Sequence, residues 1–196
     1  MVSTISRFEQ AIARFDAAHA EDPAREGAGT GEEPRELLYA KRMSAWLEKL
    51  APEASEPLRL AVRCQHIRRW SIPRSAYPAN VEGYRKWRAE EVRAHAETAG
   101  KILAEIGYDE ATIMRVQALV RKERLKQDPE VQLLEDVVCL VFLENYFAEF
   151  AKKHDEAKVI GILQKTWKKM SARGQQAARG LELAPEVRTL LEKALT

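Results

Sequence analysis

Apolar residues recur at spacings of three and four along almost the whole chain, and no stretch alternates with the period of two that a half-buried strand needs. The pattern predicts an all-α fold: a helical bundle forming a single domain over residues 1–196, with no sheet. The first helix is expected from about Ser3, as its cap, through Ile5, Phe8, Ile12 and Phe15. Residues 22–34, which hold Gly27, Gly29 and Gly31, read as the most flexible internal loop. Arg35–Leu50 carries Leu38, Met43, Trp46 and Leu47 at helical spacing. Ser55 opens a helix through Leu58, Leu60, Val62 and Ile67 that must end before Pro73, which puts His66 in its last turns. Residues 71–80, SIPRSAYPAN, form a proline-containing connector. A long helix follows over Val81–Ile106, stopped by Gly107, and Asp109 caps the next, which carries Ile113, Val116, Leu119 and Val120. After the charged run RKERLKQDP, Pro129 starts the most apolar segment, EVQLLEDVVCLVFLENYFAEFA. It is hydrophobic round most of its girth and is expected at the centre of the bundle. Two further helices, about 156–170 and 185–195, complete the fold.

Composition adds limits. Hydrophobic residues at 45% and charged residues at 32% suit a globular domain with a real core. A formal charge of +2 gives no overall field toward nucleic acid or an anionic membrane, so any anion site must be a local one. Cys64 and Cys139 lie inside apolar helical runs, which fits reduced, buried thiols of a cytoplasmic protein better than a disulfide framework. The N-terminal turns carry charges, so no signal peptide is expected. The longest apolar run, 137–143, is too short to cross a bilayer.

Charges in the most apolar helix are informative, because a buried charge is costly unless it is paired, bound to a metal or facing a wet pocket. Asp136 shares a face with Leu140, Leu143 and Phe147 and therefore points inward, either as a functional carboxylate or in an ion pair with an arginine such as Arg42 or Arg63. Glu91 and His95 stand four apart on one helical face, a spacing that lets both reach one cation. His66 reads either as a ligand or as a surface group compensating a helix dipole, and His19 and His154 read as surface residues. Together His66, His95, Glu123 and Asp136 offer imidazole and carboxylate donors suited to a divalent ion such as Zn, Mn or Fe(II). Arg42, Arg63, Arg69, Lys122 and Lys126 either hold a phosphate or carboxylate or form solvated faces. Trp70, Tyr77, Tyr84 and Trp87 cluster round the connector, to wall a ligand or to pack a bend. In KTWKKM, Lys165, Lys168 and Lys169 make an exposed basic stripe, with RNA contact as the other reading.

The phrases ELLYAKRMSAWLEKLAPEASEPLRLAVRCQHIRRWSIPR, HAETAGKIL, VRKE and LEDVVCLVFLE resemble, in their order, the helices of the HD phosphohydrolase superfamily. Tyr39 stands near the place of that superfamily's first histidine, Gln65 and His66 at its His-Asp pair, and His95 at a later histidine. Lys122 and Glu123 replace a further histidine pair, and Asp136 matches the last aspartate. Over nearly the whole chain, ELLYAKRMSAWL, QHIRRWSIPRSAYP, GYRKWR, VRKERLKQDPEVQLLEDVVCLVFLENYF and ILQKTWKKMS resemble an uncharacterised family of bacteria and fungi. Its members are sometimes labelled glutamyl-tRNA synthetase, although neither a parallel nucleotide-binding sheet nor synthetase motifs are visible here.

These resemblances imply an HD-like protein that acts on, or binds, a phosphorylated small molecule or nucleotide. One divalent ion would be held by His66, His95 and Asp136, with Glu91 or Glu123 managing the proton and the basic residues stabilising charge. The rivals are an inactive HD-like module in which arginines and His66 replace the metal, and a helical RNA- or protein-binding scaffold.

Overall fold

The first helix, α1 (Arg7–Ala20), starts where the Ser6 hydroxyl accepts the Glu9 N–H and the Glu9 carboxylate accepts the Ser6 N–H, a reciprocal capping box. The expected cap, Ser3, lies outside the described residues. The computed structural model describes residues 5–28 and 31–195, and the chain divides between Glu123 and Arg124 into two compact units. Among the described residues there are ten α-helices and a single two-stranded hairpin, so the fold is all-α.

That hairpin corrects the expected loop. β1 (Arg25–Ala28) pairs antiparallel with β2 (Gly31–Pro34), Glu26 opposite Glu33. Apart from Ala28 and Pro34 its strand residues are glycines and charges, so no apolar alternation announces it. It is held instead by α2 (Arg35–Leu50): Arg42 pairs with Glu26, and Lys41 meets Glu33 at 2.5 Å. Pro34 gives α2 no side-chain cap. Buried Asp22 takes that role, accepting the N–H groups of Ala24 (2.9 Å) and Glu36 (3.0 Å).

Ser55 caps α3 (Glu56–Cys64), which buries Leu58, Leu60, Ala61, Val62 and Cys64. The helix ends earlier than expected. The Ile67 N–H bonds to the Cys64 carbonyl in a tight turn, and Arg68 adopts a left-handed conformation at φ 54°, so His66 lies just beyond the helix. Two 3-10 turns, Arg69–Ser71 and Arg74–Ala76, occupy the connector. Arg74 donates to the carbonyls of Tyr77 and Pro78, and the Trp87 indole N–H donates to that of Ile72 at 2.9 Å.

In α4 (Val81–Ile106), Gly83 leaves room for the Pro78 carbonyl, which a Cβ would overlap. Buried residues recur every four along this helix, as Gly83, Trp87, Glu91, His95, Ala99 and Leu103. Gly107, at φ 90°, ends it. Asp109 caps α5 (Glu110–Val120), which packs on α3 and α4; Gln117 donates to the Ala96 carbonyl across the gap that Gly100 leaves.

In the second unit, Asp128 caps α6 (Pro129–Asn145), whose core face carries Val131, Leu134, Val137, Leu140 and Val141. The apolar run expected to continue to residue 151 breaks at Tyr146, and α7 (Phe147–Lys152) sets Phe147 and Phe150 edge-on to Phe142. α8 (Glu156–Lys169) starts at the cap Asp155. An unanticipated short helix, α9 (Ala172–Arg179), precedes α10 (Pro185–Leu195). No helix among the described residues is long and apolar enough to cross a membrane.

Candidate functional site

Two carboxylates and two histidines meet inside the first unit. Asp22 fixes the first turn of α2, and that turn carries Glu36, whose side chain is only 12% exposed. One turn on, the Tyr39 ring stacks on His66 with centroids 4.4 Å apart and planes at 11°. The His66 Nδ1 lies 3.7 Å from a Glu36 carboxylate oxygen, and the His66 and His95 rings are 5.9 Å apart. His95 Nδ1 stands 2.8 Å from the Ile67 carbonyl oxygen. A carbonyl only accepts, so Nδ1 carries the hydrogen and Nε2 keeps its lone pair. Glu91, fully buried on the same face of α4, lies between Arg69 (3.3 Å) and Arg88 (2.9 Å). Arg69 also places Nη1 3.3 Å from both ring nitrogens of His66. The guanidinium groups of Arg69, Arg74 and Arg88 lie 5.4–6.0 Å from the Trp87 ring. The floor is closed and the rim open: Arg69 and Arg88 remain 30% and 33% exposed.

Burial dominates the electrostatics. It holds His66 well below the ordinary histidine range, helped by Arg69, His95, Arg88 and Lys122, and holds His95 at about 4 against the opposing Ile67 carbonyl. It raises Glu36 to about 7, with Arg69 opposing and the charges of Asp22 and Glu91 adding to the rise. Glu91 is raised too, because its burial outweighs Arg69 and Arg88. Near neutral pH both imidazoles are therefore uncharged, and Glu36 exchanges its proton. Glu36 Oε2, Glu91 Oε1 and His95 Nε2 are buried without hydrogen-bond partners, as are Gln65 Oε1 and His19 Nδ1. His19, expected at the surface, is completely buried and directs Nε2 to the Arg63 carbonyl at 3.0 Å, because the end of α1 packs on α3.

Of the residues singled out in the sequence, the structure brings His66, Arg69, Glu91 and His95 together, and the charge of Lys122 acts on His66. The others are engaged elsewhere. Exposed Glu123 pairs with Arg121 at 2.6 Å, and Arg42 is drawn to the hairpin. Arg63 forms a two-pronged pair with Asp16, both contacts 2.7 Å. Lys126 donates to the Lys169 carbonyl at 2.9 Å, at the end of α8. Asp136 lies in the second unit, where it accepts the Ser171 N–H (2.7 Å), the Ser171 hydroxyl and the Gln132 amide (3.0 Å). Among the described residues, no three His, Cys, Asp or Glu side chains are placed to hold a metal ion. Lys165, Lys168 and Lys169 are exposed, as the basic stripe required.

Sequence reasoning gave no site role to Glu36 or Arg88, and it placed Tyr39 only where the HD-like order has its first histidine. Their signal is spacing: Glu36 and Tyr39 are one turn apart on α2, and Arg88 and Glu91 one turn apart on α4. The sequence profile of a domain of unknown function (DUF4202) matches residues 9–191, through both units, and the chain belongs to that family. No curated protein and no solved structure matches it.

Proposed function

We propose that this member of the DUF4202 family binds a phosphorylated small molecule or nucleotide at the Arg69–Arg88 rim of its first unit. The carrying observation is that two partly exposed arginines converge on one buried carboxylate beside an uncharged histidine. Guanidinium groups match phosphate geometry in pairs, and a low-dielectric floor strengthens each contact. Lys122 adds positive charge near His66, and the buried Trp87 ring lies 5.4 Å from the Arg69 guanidinium and 5.9 Å from that of Arg88.

The reading also draws on the HD-like order of the segments, which predicts His66, His95 and Asp136 in one site. The divalent ion implied by that order fits poorly here. Asp136 is spent on Ser171 and Gln132, and Arg69 and Arg88 already bring positive charge to Glu91. The arginines thus take the charge-neutralising part that a metal plays elsewhere.

Turnover is a second reading, favoured by Glu36. A carboxyl that exchanges its proton near pH 7, 3.7 Å from an uncharged imidazole, is poised to move protons during phosphate ester hydrolysis. The test of binding is a low-salt thermal-shift and calorimetric titration with inorganic phosphate, nucleotides and sugar phosphates. Arg69→Ala should weaken the best ligand by about tenfold or more. Equal affinity in parent and variant would remove the rim as the binding site, and free phosphate measured in the same samples separates binding from turnover.

A further inference from the structure

Two buried atoms in this site lack hydrogen bonds although their residues stand one helical turn apart: His95 Nε2 and Glu91 Oε1, which has only the 3.3 Å ion-pair contact of Arg69, at positions i+4 and i on the inner face of α4. As placed, neither can satisfy the other, since an ionised carboxylate and an imidazole lone pair are both acceptors. One proton on Glu91 changes that. A carboxylic acid donates and His95 Nε2 accepts, so the unmatched imidazole nitrogen is satisfied by a single hydrogen bond. His95 is already committed to this role, because the Ile67 carbonyl fixes its hydrogen on Nδ1.

We infer, resting on the anion-binding reading above, that Glu91 is a two-position carboxylate gating the arginine rim. Ionised, it holds Arg69 and Arg88 as an internal substitute for a ligand's phosphate. Protonated, it turns to His95 Nε2 and leaves both guanidinium groups to an incoming dianion. The proton comes from solvent, and no covalent bond is made or broken. The groups facing Glu91 favour this coupling. Arg69 from the turn after α3 and Arg88 from α4 hold the carboxylate, while His95 waits one turn away. Glu36 on α2 is a second carboxyl whose proton is retained more strongly because of the Glu91 charge. His66 sits beyond Arg69, uncharged, and Lys122 adds its field there. A bound dianion supplies the negative charge that Arg69 and Arg88 lose when Glu91 departs, so ligand binding and proton uptake reinforce each other.

Glu91 is accordingly a positioning residue whose removal should tighten binding, the opposite of what a catalytic base or a ligand contact would show. The probe is sulfate, a dianion whose charge does not change over the working pH range, titrated calorimetrically into the full chain. The parent should bind more tightly as pH falls from about 8 to about 6, approaching ~10-fold per pH unit, and two buffers of different ionisation enthalpy should report up to about one proton taken up per sulfate. Glu91→Gln keeps the shape and donates to His95 without titrating, so it should bind sulfate more tightly at high pH and lose most of the pH slope. A slope that persists in E91Q, or weaker binding by E91Q, overturns the gate while leaving the rim as an anion site. Failure of both proteins to bind sulfate or inorganic phosphate at low salt overturns the gate and the binding reading together.

Discussion

Glu91 and Asp136 are both carboxylates on the buried face of a long helix, and the two units treat them in opposite ways. Around Asp136 every neighbour answers it. The Ser171 N–H and hydroxyl and the Gln132 amide all donate to it, and Gly174 has no side chain because a Cβ would come within 2.6 Å of the carboxyl carbon. Around Glu91 both oxygens are in ion pairs, but Oε1 has no hydrogen bond and the nearby His95 Nε2 has none either. A satisfied buried charge fastens an element, here the start of α9 against α6, whereas an unsatisfied cluster with an exposed rim is a place where something else can bind. Burial alone does not distinguish them.

The sharpest way to break this comparison is Asp136→Ala. It leaves the Ser171 donors without their acceptor and should destabilise the second unit by about 3 kcal/mol, with faster hydrogen exchange through α9, while anion affinity at Arg69 and Arg88 stays unchanged. A fall in affinity comparable with that of Arg69→Ala would mean Asp136 belongs to the site after all. Glu36→Gln addresses the other side. In the unfolded chain Glu36 ionises near 4.5, but in the folded protein only near 7, so parent stability declines as pH rises from 4.5 through 7. At about 1.4 kcal/mol per pH unit the difference is at most on the order of 3 kcal/mol. The variant cannot ionise, so its stability relative to the parent should grow over that window and level off above it. Denaturant midpoints at several pH values check this, and a constant difference would show that Glu36 is not held protonated. The smallest effect is expected from Tyr39→Leu, which removes the ring stacked on His66. A loss of about 1 kcal/mol is expected, with a second His66 ring orientation visible by NMR.

Several helix boundaries were legible where a local rule sets them, although the Ser6–Glu9 capping box was passed over for a cap at Ser3. Ser55 and Asp109 cap where short polar side chains precede apolar periodicity, and Gly107 ends α4 because a positive φ suits glycine. Elements fixed by distant partners were not legible. The hairpin rests on salt links from α2, and α9 depends on a carboxylate 35 residues before its cap. The Glu91 and His95 pair was readable from spacing, and so was the inward direction of Asp136. What Asp136 faces was not, since an inward carboxylate looks the same in sequence whether a serine or a ligand awaits it. Glu36 was hidden because a glutamate in a first turn is ordinarily a solvated dipole partner, and only Asp22 and the hairpin place this one indoors.

The order of the chain has a consequence for biosynthesis. Glu36, Tyr39, His66, Arg69, Arg88, Glu91 and His95 all precede Glu123, where the first unit ends. Chains fold largely unit by unit as the N-terminal part leaves the ribosome. α2 and the turn after α3 emerge with their polar groups still hydrated, and α4 then brings Glu91 and His95 to them. A nascent chain halted just past Glu123 thus already holds every group of the polar interior, before α8 and α9 have been translated.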